Sequence, residues 1–204
     1  SDSADLVQLA RILDLLPDAP LIAALEGRPR GGRRPAHSPH VLWRVLLAGV
    51  FFGHKHVAGI LAELRRNPGL CDVCGLGGVD ALPRDYHISR FLADLVKHQD
   101  LLEAMFAALV QTVQKRLPDL GRNLAQDSTE LDSYARGTAE AEKSSDPEAS
   151  WGIKSRNRKR ADGSHYESVY KWFGYKLHLL VDTVHELPVA FTVTTAKADD
   201  AKEL

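Results

Sequence analysis

Residues 172–194 read WFGYKLHLLVDTVHELPVAFTVT, and their period is two. Phe173, Tyr175, Leu177, Leu179 and Val181 fall on one face of an extended strand, and Lys176, His178 and Asp182 on the other. Thr183 to Glu186 makes a turn, after which Val189, Phe191 and Val193 alternate again. Pro188 fits only at the start of this second strand, because it cannot donate to a ladder. The stretch is expected to form a β-hairpin with its apolar face buried. Upstream, Asn123–Ser128 is a short strand candidate. Between them, 134–170 is polar with few apolar residues and is expected to be a flexible insertion. Downstream, Asp199 or Asp200 begins a helix that is unfinished at Leu204.

The first 120 residues have a different period. Leu6, Leu9, Leu13 and Leu16 repeat at three- and four-residue steps, which puts them on one helix face. Pro17 and Pro20 stop that helix, and a short one follows to about Glu26. His40 to about Phe52 is apolar nearly all round and reads as a buried helix. Val57–Arg66 is a further helix, with Ile60, Leu61 and Leu64 inward. Asn67–Pro83 is glycine-rich and reads as irregular. Asp85 is placed to cap a helix striped by Ile88, Phe91, Leu92 and Leu95. The next helix turns Leu102, Met105, Phe106, Leu109 and Val113 inward and ends near Leu117. The expected fold is therefore α+β. An all-helical module (1–120) precedes the first strands of an incomplete α/β domain (121–204).

Composition narrows the function classes. Of 204 residues, 44% are hydrophobic and 26% charged, an ordinary globular balance. The formal net charge is -1, so any affinity for nucleic acid must come from local clusters. Two cysteines exclude a disulfide scaffold and fit a reducing cytoplasm. The most apolar run, Val41–Phe52, is too short to span a bilayer and contains Arg44, so no membrane partner is expected.

Asp127 closes the short strand Asn123–Ser128, and a carboxylate at a strand exit suits a hard divalent cation. One such residue is equally a turn-former. Four arginines, Arg28, Arg30, Arg33 and Arg34, lie among glycines and prolines in 27–39 and suit the phosphate backbone or a minor-groove arm, or else a solvated loop. A second cluster holds Lys154, Arg156, Arg158, Lys159 and Arg160, again either a DNA contact or a solvated segment. Arg84, His87 and Arg90 sit on the early turns of the helix at Asp85, where a helix-turn-helix reader places its base contacts and where an ordinary helix places its surface. Cys71 and Cys74 form a CxxC, which is half a zinc site or a pair of small buried residues. His54, His56 and His87 are the histidines that could complete such a site.

Several motifs occur together and in order. QDSTELDSYARG, DPEASWGIK and WFGYKLHLLVDTVHELPVAFTVTTAKADDAKEL follow RPAHSPHVLWRVLLAGVFFG, LAELRRNPGL and PRDYHISRFL. The chain resembles DDE-type insertion-sequence transposases of bacteria over nearly its whole length. The resemblance implies an RNase H-like catalytic domain behind an N-terminal helical domain. It implies three carboxylates around two ions of Mg²⁺ (or Mn²⁺), with Asp127 as the first, both catalytic and metal-binding. The second and third would lie beyond Leu204, so the chain is expected to be truncated before them and catalytically incomplete. Asp200 matches a recurrent aspartate of the family outside the metal-binding set, and Asp182 is taken as structural or accessory. The implied partners are DNA, through the terminal inverted repeats of the element, and a second copy in a homodimer. The implied place is the cytoplasm, at the nucleoid. A non-catalytic DNA-binding protein and an inactive remnant are the alternatives.

Overall fold

A computed structural model describes residues 3–27, 35–133, 135, 137, 144–160 and 162–198, with the side chain of Arg156 outside the description. Arg28, Arg30, Arg33, Arg34, Asp199 and Asp200 lie outside the described residues. The chain divides into two compact units, 1–109 and 110–204.

The first unit is helical: α1 (Ala4–Leu15), α2 (Ala19–Glu26), α3 (Pro39–Phe51), α4 (Val57–Arg66), α5 (Pro68–Cys74) and α6 (Asp85–Leu95), with the start of α7 (Gln99–Gln114). Local chemistry sets the starts. The side chains of Ser3, Ser38 and Asn67 accept the first-turn amides of Leu6, Val41 and Leu70, which lie where no i−4 carbonyl of the helix can serve them. Pro39 and Pro68 follow two of these caps, where a missing N–H costs nothing. The core is Leu6, Leu9 and Leu13 of α1, Leu42, Val45 and Ala48 of α3, Ile60, Leu61 and Leu64 of α4, and Ile88, Phe91 and Leu95 of α6. Each fully buried leucine stabilises the unit by about 1.5–3 kcal/mol relative to exposure. Inside this frame Trp43 Nε1 donates to Asp18 (3.0 Å), and Arg44 donates to Val73 O (3.2 Å) and Asp14 (3.1 Å).

Three expectations for this unit change. Residues 68–74 are helical, because Asn67–Pro68 supplies a cap and a preset first turn that outweigh the glycine-rich composition. The cap position of α6 is Arg84, with Asp85 inside the first turn. The cap bond comes from the other direction, as Arg84 N–H donates to His87 Nδ1 at 3.0 Å. In α7 no residue is fully buried, so its apolar stripe is only half covered.

The second unit is built on an antiparallel sheet of β1 (Leu124–Asp132), β2 (Ser150–Lys159), β3 (His165–Asp182) and β4 (Leu187–Thr195). The strands expected near 123–128, 172–182 and 188–194 are present, and the chain is α+β. Strand β3 is long enough to pair twice. Its second half lies between β1 (Asp127 opposite Leu179) and β4 (Phe191 opposite Leu179). Its first half pairs with β2 (Lys154 opposite Tyr170, Arg158 opposite Tyr166). The polar stretch 134–170 thus carries β2 and the start of β3. Its polarity reflects a two-stranded ribbon wetted on both faces, which needs no apolar side to hold its ladder bonds.

The burial of the sheet differs in part from the one expected. Phe173 is buried as expected, but His178 and Asp182, on the other face, are fully buried, whereas Leu177, Leu179, Val181 and Phe191 are half-buried and Val193 is exposed. Asp182 is accommodated because its carboxylate accepts the amides of Gly121 (2.8 Å), His185 (2.9 Å) and Val184 (3.0 Å). His178 Nε2 bonds Thr194 Oγ1 at 2.8 Å. Alternation tells which residues share a face; it does not tell which face meets the next layer.

At Gly174 strand β3 passes from pairing with β2 to pairing with β1. A Cβ there would collide with the carbonyl oxygen of Leu131 in β1. In the ribbon, Gly152 leaves room for the Trp172 indole to lie across the ladder, and the indole N–H donates to Tyr175 O at 3.1 Å. Lys154 reaches back to Ser128 O and Glu130 Oε2 of β1, both at 3.3 Å.

Candidate nucleic-acid interface

On the helical unit the cations gather around the start of α6, which packs on α3 and α4. Ile88, Phe91 and Leu95 anchor the inner face of α6 in the core. That leaves Arg84, Tyr86, Ser89 and Arg90 exposed on the outer face. Arg90 lies over the Tyr86 ring, 5.4 Å from its centroid, which holds the guanidinium near the helix surface. Arg65 of α4 and Arg84 line one shallow cleft with Leu82, Pro83 and Asp85. Arg65 was not singled out from sequence; only its place in an Arg-Arg pair at the end of a helix marks it.

Two histidines tie this corner together. The rings of His37 and His87 meet edge-on at 4.9 Å, and Tyr86 lies 4.0 Å from His87. Both imidazoles titrate below the ordinary histidine value, chiefly from desolvation. His87 also feels Arg84 and Arg90, and each histidine disfavours charge on its neighbour or is disfavoured by nearby cations. His37 stands three residues after Arg34, so the chain leaving the arginine-rich stretch is fixed at the start of α6.

On the sheet unit, Asp127 is the fourth residue of β1 and not its exit, because β1 continues in register with β3 as far as Asp132. The carboxylate is exposed and accepts the N–H of Ser128 at 2.8 Å. It shares a sheet face with Leu179 and Leu177. Among the described residues no three His, Cys, Asp or Glu side chains gather where a metal ion could be held. Among the described residues Asp127 is therefore not part of a three-ligand cluster.

The second basic cluster lies on the β2–β3 ribbon. Lys154 and Arg158 alternate onto one face, opposite Tyr170 and Tyr166, while Lys159 falls on the other face opposite His165. Arg160, at the turn, lies over the Tyr166 ring at 5.0 Å. Arg156 stands opposite Ser168 in the ladder. The tyrosines were missed from sequence because the polar segment was read as having no ladder to align them.

Cys71 and Cys74 are buried on α5. Cys71 Sγ donates to Leu64 O at 3.2 Å. Burial pushes the Cys74 thiol up to about 12, with the adjacent Cys71 adding to the rise and Arg44 opposing it. These are packed thiols, and the small-buried-pair reading of the CxxC is the one the geometry fits.

Residues 2–94 match a transposase domain family, DUF772. The matched stretch ends within α6 and covers the helical unit without the sheet. No curated protein and no solved structure matches the chain. No described helix is long and apolar enough to cross a membrane.

Proposed function

We propose that the chain is the DNA-engaging part of a DDE-type transposase, and that its helical unit holds duplex DNA at the ends of the element through α6. The observation that carries this reading is the exposed Arg84–Tyr86–Arg90 face of α6, inside the stretch that matches a transposase domain. Arginines on the first turns of an outward-facing helix reach phosphates or base edges as the helix lies against a groove. Arg65 shares the adjoining cleft with Arg84, and Asp80 and Asp85 also line it. Arg28, Arg30, Arg33 and Arg34, outside the described residues, would add phosphate contacts as cations of the matched stretch.

In this reading the sheet unit is the opening of an RNase H-like domain, and Asp127 is the first of its three metal-binding carboxylates. The antiparallel placing of β1 against β3, and the exposure of the Asp127 carboxylate, support that assignment. Mg²⁺ or Mn²⁺ would supply activation of water or a 3′-hydroxyl. One carboxylate holds such an ion weakly, so the 204-residue chain binds DNA without cutting it.

The test is fluorescence anisotropy of the chain with two blunt duplexes, one carrying the element's terminal repeat and one of scrambled sequence. Tighter binding to the repeat supports the reading, and equal binding moves it to a nonspecific DNA-binding protein. Absence of binding at low salt rejects it. An extended chain that supplies the other carboxylates should cleave, and Asp127→Asn should abolish that cleavage.

A further inference from the structure

The β2–β3 ribbon is an unusual thing to leave in water. Two strands alone are marginally stable, yet this ribbon exposes Tyr166 by 37%, Tyr170 by 48%, Val169 by 53% and Ile153 by 62%. One face combines cations with rings. Lys154 is paired with Tyr170 and Arg158 with Tyr166, and Arg160 caps the row from the turn. No acidic residue stands at the ladder positions of this face between Gly152 and Arg158 or between Tyr166 and Trp172; Glu167 falls on the opposite face. At the base of this face Lys154 reaches β1, bonding Ser128 O and the Glu130 carboxylate at 3.3 Å. Trp172, buried over Gly152, stacks with Tyr170 at 6.2 Å and 14°, so the row of rings is anchored at its base.

We infer that this face binds an unpaired DNA strand, its tyrosine rings stacking on bases while Arg158 and Arg160 hold the backbone; Lys154, paired with Glu130 of β1, fixes the base of the ribbon instead. The inference rests on the proposal that the chain works on DNA, and it adds a second site with a different ligand from that of α6. The chemistry selects the single strand. In a duplex the bases are already stacked and present only their edges, so exposed tyrosine rings gain nothing there. A ribbon reading a groove would aim its guanidinium groups at base edges, whereas here the Arg160 guanidinium lies against the Tyr166 ring at 5.0 Å, beside rings a groove could not use. An unpaired strand presents bare π-faces beside its phosphates, and both halves of the surface are then used.

The experiment titrates the full chain with fluorescein-labelled oligo(dT), and in parallel with a blunt hairpin duplex that has no free strand. Tyr166→Ala and Tyr170→Ala are each expected to weaken oligo(dT) binding by roughly five- to hundredfold. Duplex binding should stay within about twofold, since α6 is untouched. Tyr170→Phe keeps the ring and should restore most of the affinity, which separates stacking from a folding defect. Arg84→Ala with Arg90→Ala should show the opposite pattern, weakening the duplex alone. If the wild-type chain binds the duplex and not oligo(dT), or if the Tyr→Ala variants weaken both ligands equally, the inference is overturned and the α6 reading stands. If oligo(dT) binds and the duplex does not, the ribbon site stands and the α6 reading falls.

Discussion

The Asp182 carboxylate accepts the backbone N–H of Gly121 at 2.8 Å, joining the end of β3 to the residue 61 positions earlier that leads into β1. The same group takes the amides of His185 and Val184 from the turn into β4. One buried side chain therefore fixes the start of β1 and the β3–β4 turn together.

Replacing Asp182 by alanine should leave three amides without this acceptor and lower Tm by about 5 °C or more, read by circular dichroism. The hydrogen bonds, first that from His185, hold the carboxyl below its ordinary value of 3.8. Its contribution is thus complete above the unfolded-state value and fades as pH falls through the lower folded one. Wild-type stability should drop on acidification below about pH 4, and Asp182→Asn should flatten that part of the profile. An unchanged Tm in Asp182→Ala would remove the residue from its structural role.

Tyr175 donates to Asp146 at 2.6 Å, and Ser133 donates to the same carboxylate at 2.6 Å. Burial, then the Asp146 carboxylate, pushes the phenol up to about 12. An acid whose folded value is raised adds stability that is complete below pH 10 and lost as pH rises towards 12. Absorbance at alkaline pH should show one tyrosine ionising late, and Tyr175→Phe should delete that step. If all five tyrosines of the chain titrate together, the Tyr175–Asp146 bond is not formed in solution.

Gly174→Ala and Gly152→Ala test the close contacts at the junction of β1, β2 and β3. The first places a methyl against Leu131 O, and the second against the Trp172 indole. Overpacking of this kind costs about 1–3 kcal/mol. Gly174→Ala meets backbone, which cannot swing aside, and should be the more damaging. In Gly152→Ala the indole must move, and its fluorescence should shift to longer wavelength. Unaltered emission and stability in both variants would mean that these close contacts are not formed.

The helical unit was legible in sequence because each helix carries its own signal: the leucine spacing of α1, the apolar run from His40 to Phe52 for α3, and the Ile60–Leu61–Leu64 face of α4. The three strands near β1, β3 and β4 were legible for the same reason, since alternation is local. What the sequence hid was non-local. Strand β2 has no apolar face to mark it, and its register exists only through pairing with the first half of β3. The burial of His178 and Asp182 depends on partners far along the chain, such as Gly121 and Thr194. Asp127 was found by motif, but its mid-strand place follows from β1 running four residues beyond the segment whose composition suggested a strand. Arg84 and Arg90 were named from sequence, whereas the cleft that Arg84 shares with Arg65, and the clasp of His37 on His87, needed the packing of α6 on α4 and α3.

The clasp has a pH signature. Desolvation lowers both histidines from 6.5, and His87 must be neutral at Nδ1 to accept the Arg84 amide. Stability from these groups is present above pH 6.5 and is lost as pH falls through their lower folded values. Thermal unfolding should weaken between about pH 6.5 and 5, and His37→Gln should reduce the effect. A flat profile across that range would dissolve the clasp.

The central claim, that α6 holds duplex DNA, is tested most directly by the salt dependence of binding to the terminal-repeat duplex. Each phosphate neutralised adds about 0.9 to the slope of log affinity against log salt. Arg84→Ala combined with Arg90→Ala leaves Ile88, Phe91 and Leu95 in the core, so the fold should persist. The expected result is tight binding at low salt for the wild-type chain and a slope smaller by about two in the double variant. A double variant with the full wild-type slope and affinity would contradict the account.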